Sequence, residues 1–234
     1  GTNTTGAENT AVGQSALYGN TTASYNVGVG INSLNANTTG EKNTAAGSYS
    51  LDNNTTGSYN TGIGYHALGG NTTANHNNAF GYHALKLCTT GYSNVAIGSH
   101  SCDVLTTGSE NVAAGYWALG TNTTGSYNTA LGTKALFVNT TGASNSSFGA
   151  YSLDANTTGS NNAAFGNNSL GANTTGGDNT AVGRYALGAN TTADKNIAVG
   201  YYSLGANTTG DRNTALGYES LKTNTVGDRN VGVG

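Results

Sequence analysis

Side chains that could perform chemistry are few in this sequence, and they include histidines at a regular interval. His66, His83 and His100 lie 17 residues apart. Stacked in a repeating fold, three imidazoles could bind a metal ion, since histidine is a common zinc ligand. No carboxylate recurs beside them, so we expect no metal and no other cofactor. No Cys-His or Ser-His-Asp arrangement and no recurring pair of acids for glycoside hydrolysis is found, so we predict that the protein is not an enzyme.

The two cysteines, Cys88 and Cys102, each replace a residue that otherwise recurs along the chain. If the residues between them form a tight turn, the two side chains approach within disulfide range. Such a disulfide would favour an oxidising, extracellular setting. Two independent apolar substitutions are the alternative.

Asn-Thr-Thr recurs along the chain and matches the N-glycosylation pattern Asn-x-Ser/Thr. A row of glycans on these asparagines could protect a fibre from proteolysis. The competing interpretation is that Asn and Thr are good turn formers and the match is accidental. The accidental match is favoured because two repeats have Cys88 and Leu105 in place of the asparagine. Apolar residues there indicate that this position is partly buried. The candidate acceptors are Asn3, Asn20, Asn37, Asn54, Asn71, Asn122, Asn139, Asn156, Asn173, Asn190 and Asn207.

Aromatic residues recur at two adjacent places of the same interval, where the residue type varies between repeats. Variation amid such regularity indicates an exposed edge, and aromatic rings there could stack on sugars or contact a partner. Alternatively, tyrosine simply shields a β surface. The candidate contact residues are Tyr65, Tyr82, Tyr116, Trp117, Tyr201 and Tyr202.

All these residues belong to a single 17-residue repeat without insertion or deletion. We number its positions 0 to 16, and position 0 is always Asn. Position 4 is always Gly, position 8 is almost always Leu, and positions 11 to 13 usually read Asn-Thr-Thr. Identical asparagines in stacked coils should form an amide ladder with a structural role. Its members are Asn9, Asn26, Asn43, Asn60, Asn77, Asn94, Asn111, Asn128, Asn145, Asn162, Asn179, Asn196, Asn213 and Asn230.

The repeat predicts an all-β fold, a single β-solenoid of about fourteen coils without helices. Glycine at position 4 and a small residue at position 14 would let the chain turn two corners. Short alternating runs such as Asn-Thr-Ala-Val-Gly read as strands, whereas Gly and Asn-Thr-Thr interrupt any helix. We expect residues 1–234 to form one continuous array without separate caps.

Strand alternation places position 3, which is mostly large and apolar, opposite a small-residue face. Examples are Val12, Phe80 and Val199. The apolar face is either a contact surface for another chain or the filling of the coil interior beside the leucine at position 8. The sequence leaves both interpretations open.

Composition and charge exclude several classes of partner. The formal net charge is −3, and 8% of residues are charged. Because Lys and Arg form no basic stripe, we expect no nucleic-acid partner. No apolar run approaches the length of a membrane span.

The motif Asn-Thr-Ala-x-Gly-x-x-Ala-Leu occupies Asn128–Leu136, and Asn213–Leu221 differs only by Ser in place of Ala. It resembles the head repeats of trimeric autotransporter adhesins and, more closely, repeats of phage tail fibres and bacterial surface fibres. The adhesin heads use a shorter repeat, so the residues around Asn-Thr-Thr depart from them. The resemblance implies an extracellular fibre module, often oligomeric, and no catalytic residue.

We therefore expect a structural repeat module of an extracellular fibre or filament, whether secreted, on a cell surface or on a virion. Its partners would be copies of itself in a filament or trimer, and surface glycans. Uncapped ends would favour stacking end to end or a fragment of a longer array. The alternative is a carbohydrate- or receptor-binding adhesin, or a phage tail-fibre segment.

Overall fold

The computed structural model describes residues 2–234, which form an all-β solenoid with one three-residue strand in each 17-residue coil. No helix occurs among these residues. The predicted fold class is therefore confirmed. The chain divides into two compact units, one ending at Asn111 and the other covering Val112–Gly234. In the first, the strands are β1 (Thr10–Val12), β2 (Val27–Val29), β3 (Thr44–Ala46), β4 (Thr61–Ile63), β5 (Asn78–Phe80) and β6 (Val95–Ile97).

The second unit has the same construction. Its strands are β7 (Val112–Ala114), β8 (Thr129–Leu131), β9 (Ser146–Phe148), β10 (Ala163–Phe165), β11 (Thr180–Val182), β12 (Ile197–Val199), β13 (Thr214–Leu216) and β14 (Val231–Val233).

Within each unit, successive strands pair in parallel and in register with residues 17 positions further along the chain. In β4 and β5, for example, Ile63 lies beside Phe80. Backbone hydrogen bonds between coils continue beyond the strands, and the amide of Thr38 donates to the carbonyl of Thr55 at 2.9 Å. The coils are thus joined around their circumference, which explains how such short strands build a regular fold.

The interior of each coil is narrow and contains small residues with one leucine. Leucines at position 8, such as Leu85 and Leu136, are fully buried, and so are alanines at position 2, such as Ala96 and Ala130. This core meets the packing requirement of a repeat protein, in which each unit buries its apolar face against its neighbours.

The corners of each coil use left-handed backbone conformations at several positions. Glycine at position 4 has φ between 122° and 143°. Non-glycine residues at positions 6, 8 and 16 also have positive φ, for example His83 (57°), Leu85 (50°) and Ser93 (55°). Such conformations cost roughly 1 kcal/mol or more per residue, so the hydrogen bonds between coils must offset them.

Candidate functional site

The position-0 asparagines connect successive coils from inside the solenoid. The backbone amide of Asn60 donates to Oδ1 of Asn43 at 2.9 Å, and Nδ2 of Asn60 donates to the carbonyl of Ala74 at 2.8 Å. Side chains from Asn26 to Asn213 in this series are buried, while Asn9 and Asn230 are half-buried. These residues therefore satisfy backbone groups and form the structural ladder, away from solvent.

The position-11 asparagines form a second buried ladder, which makes the predicted glycan row wrong. Nδ2 of Asn139 donates both to Oδ1 of Asn122, at 3.0 Å, and to the carbonyl of Gly142, at 2.9 Å. A sugar on Nδ2 would replace a bonded hydrogen and have no route to solvent. The correction applies to Asn20, Asn37, Asn54, Asn71, Asn122, Asn139, Asn156, Asn173, Asn190 and Asn207, all buried. Asn3 is exposed, but its Nδ2 donates to the carbonyl of Gly6 at 2.8 Å.

The predicted disulfide is also wrong, because Cys88 and Cys102 are both buried free thiols. Cys88 occupies position 11, where its thiol donates to the carbonyl of Gly91 at 3.2 Å. Cys102 replaces the interior leucine at position 8. Each side chain takes the place of the residue it substitutes, so each follows its own ladder. Burial raises the pKa of both thiols, that of Cys88 to about 12.

Cys88 interrupts the position-11 ladder and leaves an acceptor without a partner. In intact parts of the ladder, Oδ1 accepts from the next asparagine, as Asn54 accepts from Asn71 at 2.7 Å. Cys88 follows Asn71 and has no amide to donate, and Oδ1 of Asn71 is buried without a hydrogen-bond partner. This site is a local weakness in the first unit, since an unsatisfied buried acceptor costs about 1–3 kcal/mol.

The outer face of the sheet carries an exposed apolar stripe, here called the outer stripe and defined as strand position 3, which is apolar in all fourteen strands. Position 1 on the same face is Thr, Ser or Asn in eight of the fourteen strands. Ile97 is 48% exposed and Phe165 is 41% exposed. Position 3 thus points outward, and positions 2 and 8 fill the interior instead. This resolves the two interpretations left open by the sequence in favour of a surface. In the second unit, Phe148 and Phe165 stack with their ring centroids 4.8 Å apart.

The predicted aromatic edge is formed by positions 5 and 6, and the rings contact one another. Position 5 is more exposed, with Tyr65, Tyr82, Tyr116 and Tyr201 between 36% and 52% accessible. The half-buried rings of Trp117 and Tyr202 occupy position 6. The contacts are the stacks Tyr65–Tyr82 (5.5 Å) and Tyr201–Tyr218 (5.3 Å) and the edge contact Tyr116–Trp117 (6.3 Å).

Cations cover part of this edge in the second unit. The guanidinium of Arg184 lies 4.9 Å from the ring centre of Tyr185, and Nζ of Lys222 lies 5.4 Å from that of Tyr202. Ring stacking and cation contacts therefore occupy some of the aromatic faces along this edge, and exposed tyrosines such as Tyr218 remain accessible to a partner.

The three histidines singled out in the sequence lie in neighbouring coils and contact one another. The ring centroids of His66 and His83 are 5.8 Å apart, and those of His83 and His100 are 5.2 Å apart. The sequence analysis missed Asp103, whose Oδ2 lies 2.9 Å from Nδ1 of His100. The His-x-x-Asp spacing from His100 to Asp103 could have revealed it, because it places both side chains in the same turn of the coil.

Comparison with known proteins adds no assignment. No family model matches the chain, and neither curated proteins nor solved structures give a match. Residues 2–234 contain no helix long and apolar enough to cross a membrane.

Proposed function

We propose that this chain is a structural repeat module of an extracellular fibre or filament that assembles with copies of itself. The observation that carries the proposal is the outer stripe. Parallel sheets are usually covered on both faces, and contiguous exposed apolar surface is typical of interaction sites. Here one face of the sheet packs on the coil interior while the other presents Val, Ile, Leu and Phe to solvent.

A second copy of the chain is the occupant that fits the outer stripe best. Strand positions 1 and 3 carry no charged residue in any of β1–β14, so two stripes can approach without burying charge. Within each unit the stripe repeats with every coil, so a copy presents the same spacing of side chains. The extracellular location rests on the sequence resemblance to fibre repeats.

Cryo-electron microscopy of the purified chain over a range of concentrations tests this function. We expect ordered multimers or filaments in which the outer stripe lies at the contact between copies. Dispersed single chains at every concentration would contradict the proposal. Assembly through the aromatic edge would support self-assembly but would contradict the outer stripe as the contact between copies.

Carbohydrate or receptor binding at the aromatic edge is a second candidate function. It is supported by exposed tyrosines in adjacent coils, of which Tyr218 is 68% accessible. Glycan-array binding by the parent chain, lost in a Tyr201→Ala, Tyr218→Ala variant, is the expected result. Absence of binding by the parent chain would contradict it. Equal binding by the variant would exclude this part of the edge.

A further inference from the structure

The side chains of His83, His100 and Asp103 meet at the surface of two successive coils. His83 and His100 both occupy position 6, and Asp103 lies three residues beyond His100. One potential ligand atom from each residue lies within 4.8 Å of the other two. The backbone holds this arrangement, since the amides of His83 and His100 donate to the carbonyls of Tyr65 and Tyr82 at 3.0 and 2.9 Å.

Asp103 brings a carboxylate oxygen without a partner to the two imidazoles, whereas the equally unpartnered Oδ1 of Asp52, at the same position of another coil, belongs to no such cluster. Asp103 is only 8% exposed. Oδ2 contacts His100 at 2.9 Å, but Oδ1 is buried and has no hydrogen-bond partner. Burying an unsatisfied polar group is unfavourable, and buried carboxylates are normally paired or coordinate metals. A cation between the carboxylate and the imidazoles would satisfy this oxygen.

The ring of His83 is held in place by its neighbours. It packs face to face against Tyr82 with centroids 3.9 Å apart, and its centroid lies 5.2 Å from that of His100. A neutral imidazole is the form that binds metal ions.

We propose that His83, His100 and Asp103 bind a divalent transition-metal ion, with zinc the best match. Two imidazoles and one carboxylate are a ligand set that zinc accepts, leaving a fourth position open. Calcium and magnesium prefer all-oxygen sites. Metal–ligand bonds of about 2.1 Å place tetrahedral ligand atoms about 3.4 Å apart. The ligand atoms lie within 4.8 Å of one another, so they need to approach by no more than about 1.4 Å to reach this spacing.

An ion in this site would join two successive coils. His83 belongs to one coil, while His100 and Asp103 belong to the next, so the metal adds a cross-link between the coil that contains Cys88 and its successor. The fourth position faces outward, since His83 and His100 are half-exposed, and would hold water or a donor from a partner.

Calorimetric titration of the full chain with zinc chloride at neutral pH tests the site. The variants are His83→Asn, His100→Asn and Asp103→Asn. Asparagine is chosen because position 6 is left-handed and other coils have Asn there (Asn32 and Asn168), while position 9 has Asn35. His76→Asn is the matched control, since His76 also has positive φ but lies at position 16, outside the cluster.

We expect one zinc ion per parent chain, unchanged binding by His76→Asn, and affinity reduced by at least about tenfold in each cluster variant. No zinc binding by the parent, or equal affinity in the cluster variants, would overturn the proposal. Because a variant could lose its fold, imidazole NMR of the parent gives a second test. Zinc must shift the resonances of His83 and His100 and leave those of His76 in place, and the reverse pattern would refute the site.

Discussion

At the scale of single residues, buried amides join the coils of this protein alongside the buried leucines of the interior. Each position-0 asparagine serves two coils. Asn162 donates to the carbonyl of Gly176 at 2.8 Å and accepts from the backbone amide of Asn179 at 3.1 Å. Because Asn162 is buried, water cannot replace these bonds.

Asn162→Ala should therefore lower the free energy of unfolding by about 2–4 kcal/mol, since it leaves a buried donor and a buried acceptor unpaired. Thr158→Ala is the control, because Thr158 is exposed at position 13 of a neighbouring coil. We expect it to change stability by less than about 0.5 kcal/mol. Denaturant unfolding measures both values, and similar losses in the two variants would contradict the structural role of the ladder.

The buried thiols predict a specific dependence of stability on alkaline pH. The pKa of Cys88 rises from 9.0 to about 12 in the folded chain, so the unfolded chain loses its proton first. The contribution of the protonated Cys88 thiol to the free energy of unfolding is therefore fully present below about pH 9, and it is lost as the pH rises towards about 12. Melting temperatures measured across this range should fall more steeply for the parent than for a Cys88→Asn, Cys102→Leu variant. If the melting temperature falls equally steeply with pH in the parent and in the variant, burial of the two thiols does not contribute to the pH dependence of stability.

Residue types and their spacing were enough to predict the position-0 ladder, but they could not show which polar residues are inside. Asparagine at position 11 satisfies the glycosylation pattern and the burial pattern equally well. The apolar Leu105 and Cys88 at this position were the available sign of burial. Asp103 pairs with His100 through a local His-x-x-Asp spacing that the sequence does contain. His83 lies in the preceding coil, so the complete cluster depends on coil stacking as well as on local sequence.

At the scale of the element, each coil is shaped by its corners, because the strand is only three residues long. The invariant glycine was predicted to mark a corner, and Gly64 indeed has a φ of 129°. A Cβ atom there would lie 2.5 Å from the carbonyl oxygen of Gly81 in the next coil. The left-handed leucines at position 8 were not predictable, since local sterics disfavour them and only bonds between coils hold them.

Gly64→Ala should destabilise the protein by about 1–3 kcal/mol, because alanine disfavours positive φ and its methyl group meets the backbone of the next coil. Gly171→Ala is the matched comparison at position 9. Gly171 lacks positive φ, a Cβ atom there would come no closer than 3.3 Å to any non-adjacent residue, and other coils have Tyr18, Asn35 and Lys86 at that position. We expect a cost below about 1 kcal/mol. Thermal unfolding that shows equal costs would contradict the role of φ at position 4.

At the scale of the whole molecule, regular coils repeat one surface many times. The sequence predicted the solenoid because the period has no insertion, so each residue type returns to the same place. The sequence alone does not show whether position 3 lies inside the coil or on its surface. Strand alternation separates the two faces of the sheet, but it does not show which face is turned to the interior. The exposed outer stripe is the feature from which the proposed self-assembly follows.

Sedimentation velocity of the parent chain and two lysine variants tests self-assembly through the outer stripe most directly. Phe165→Lys with Val199→Lys places charge on the stripe, whereas Thr158→Lys with Thr192→Lys adds the same charge at exposed position 13. We predict that the parent and the threonine variant associate as concentration rises, while the stripe variant remains monomeric with an unchanged melting temperature. A monomeric parent, or a stripe variant that associates as the parent does, would contradict the account.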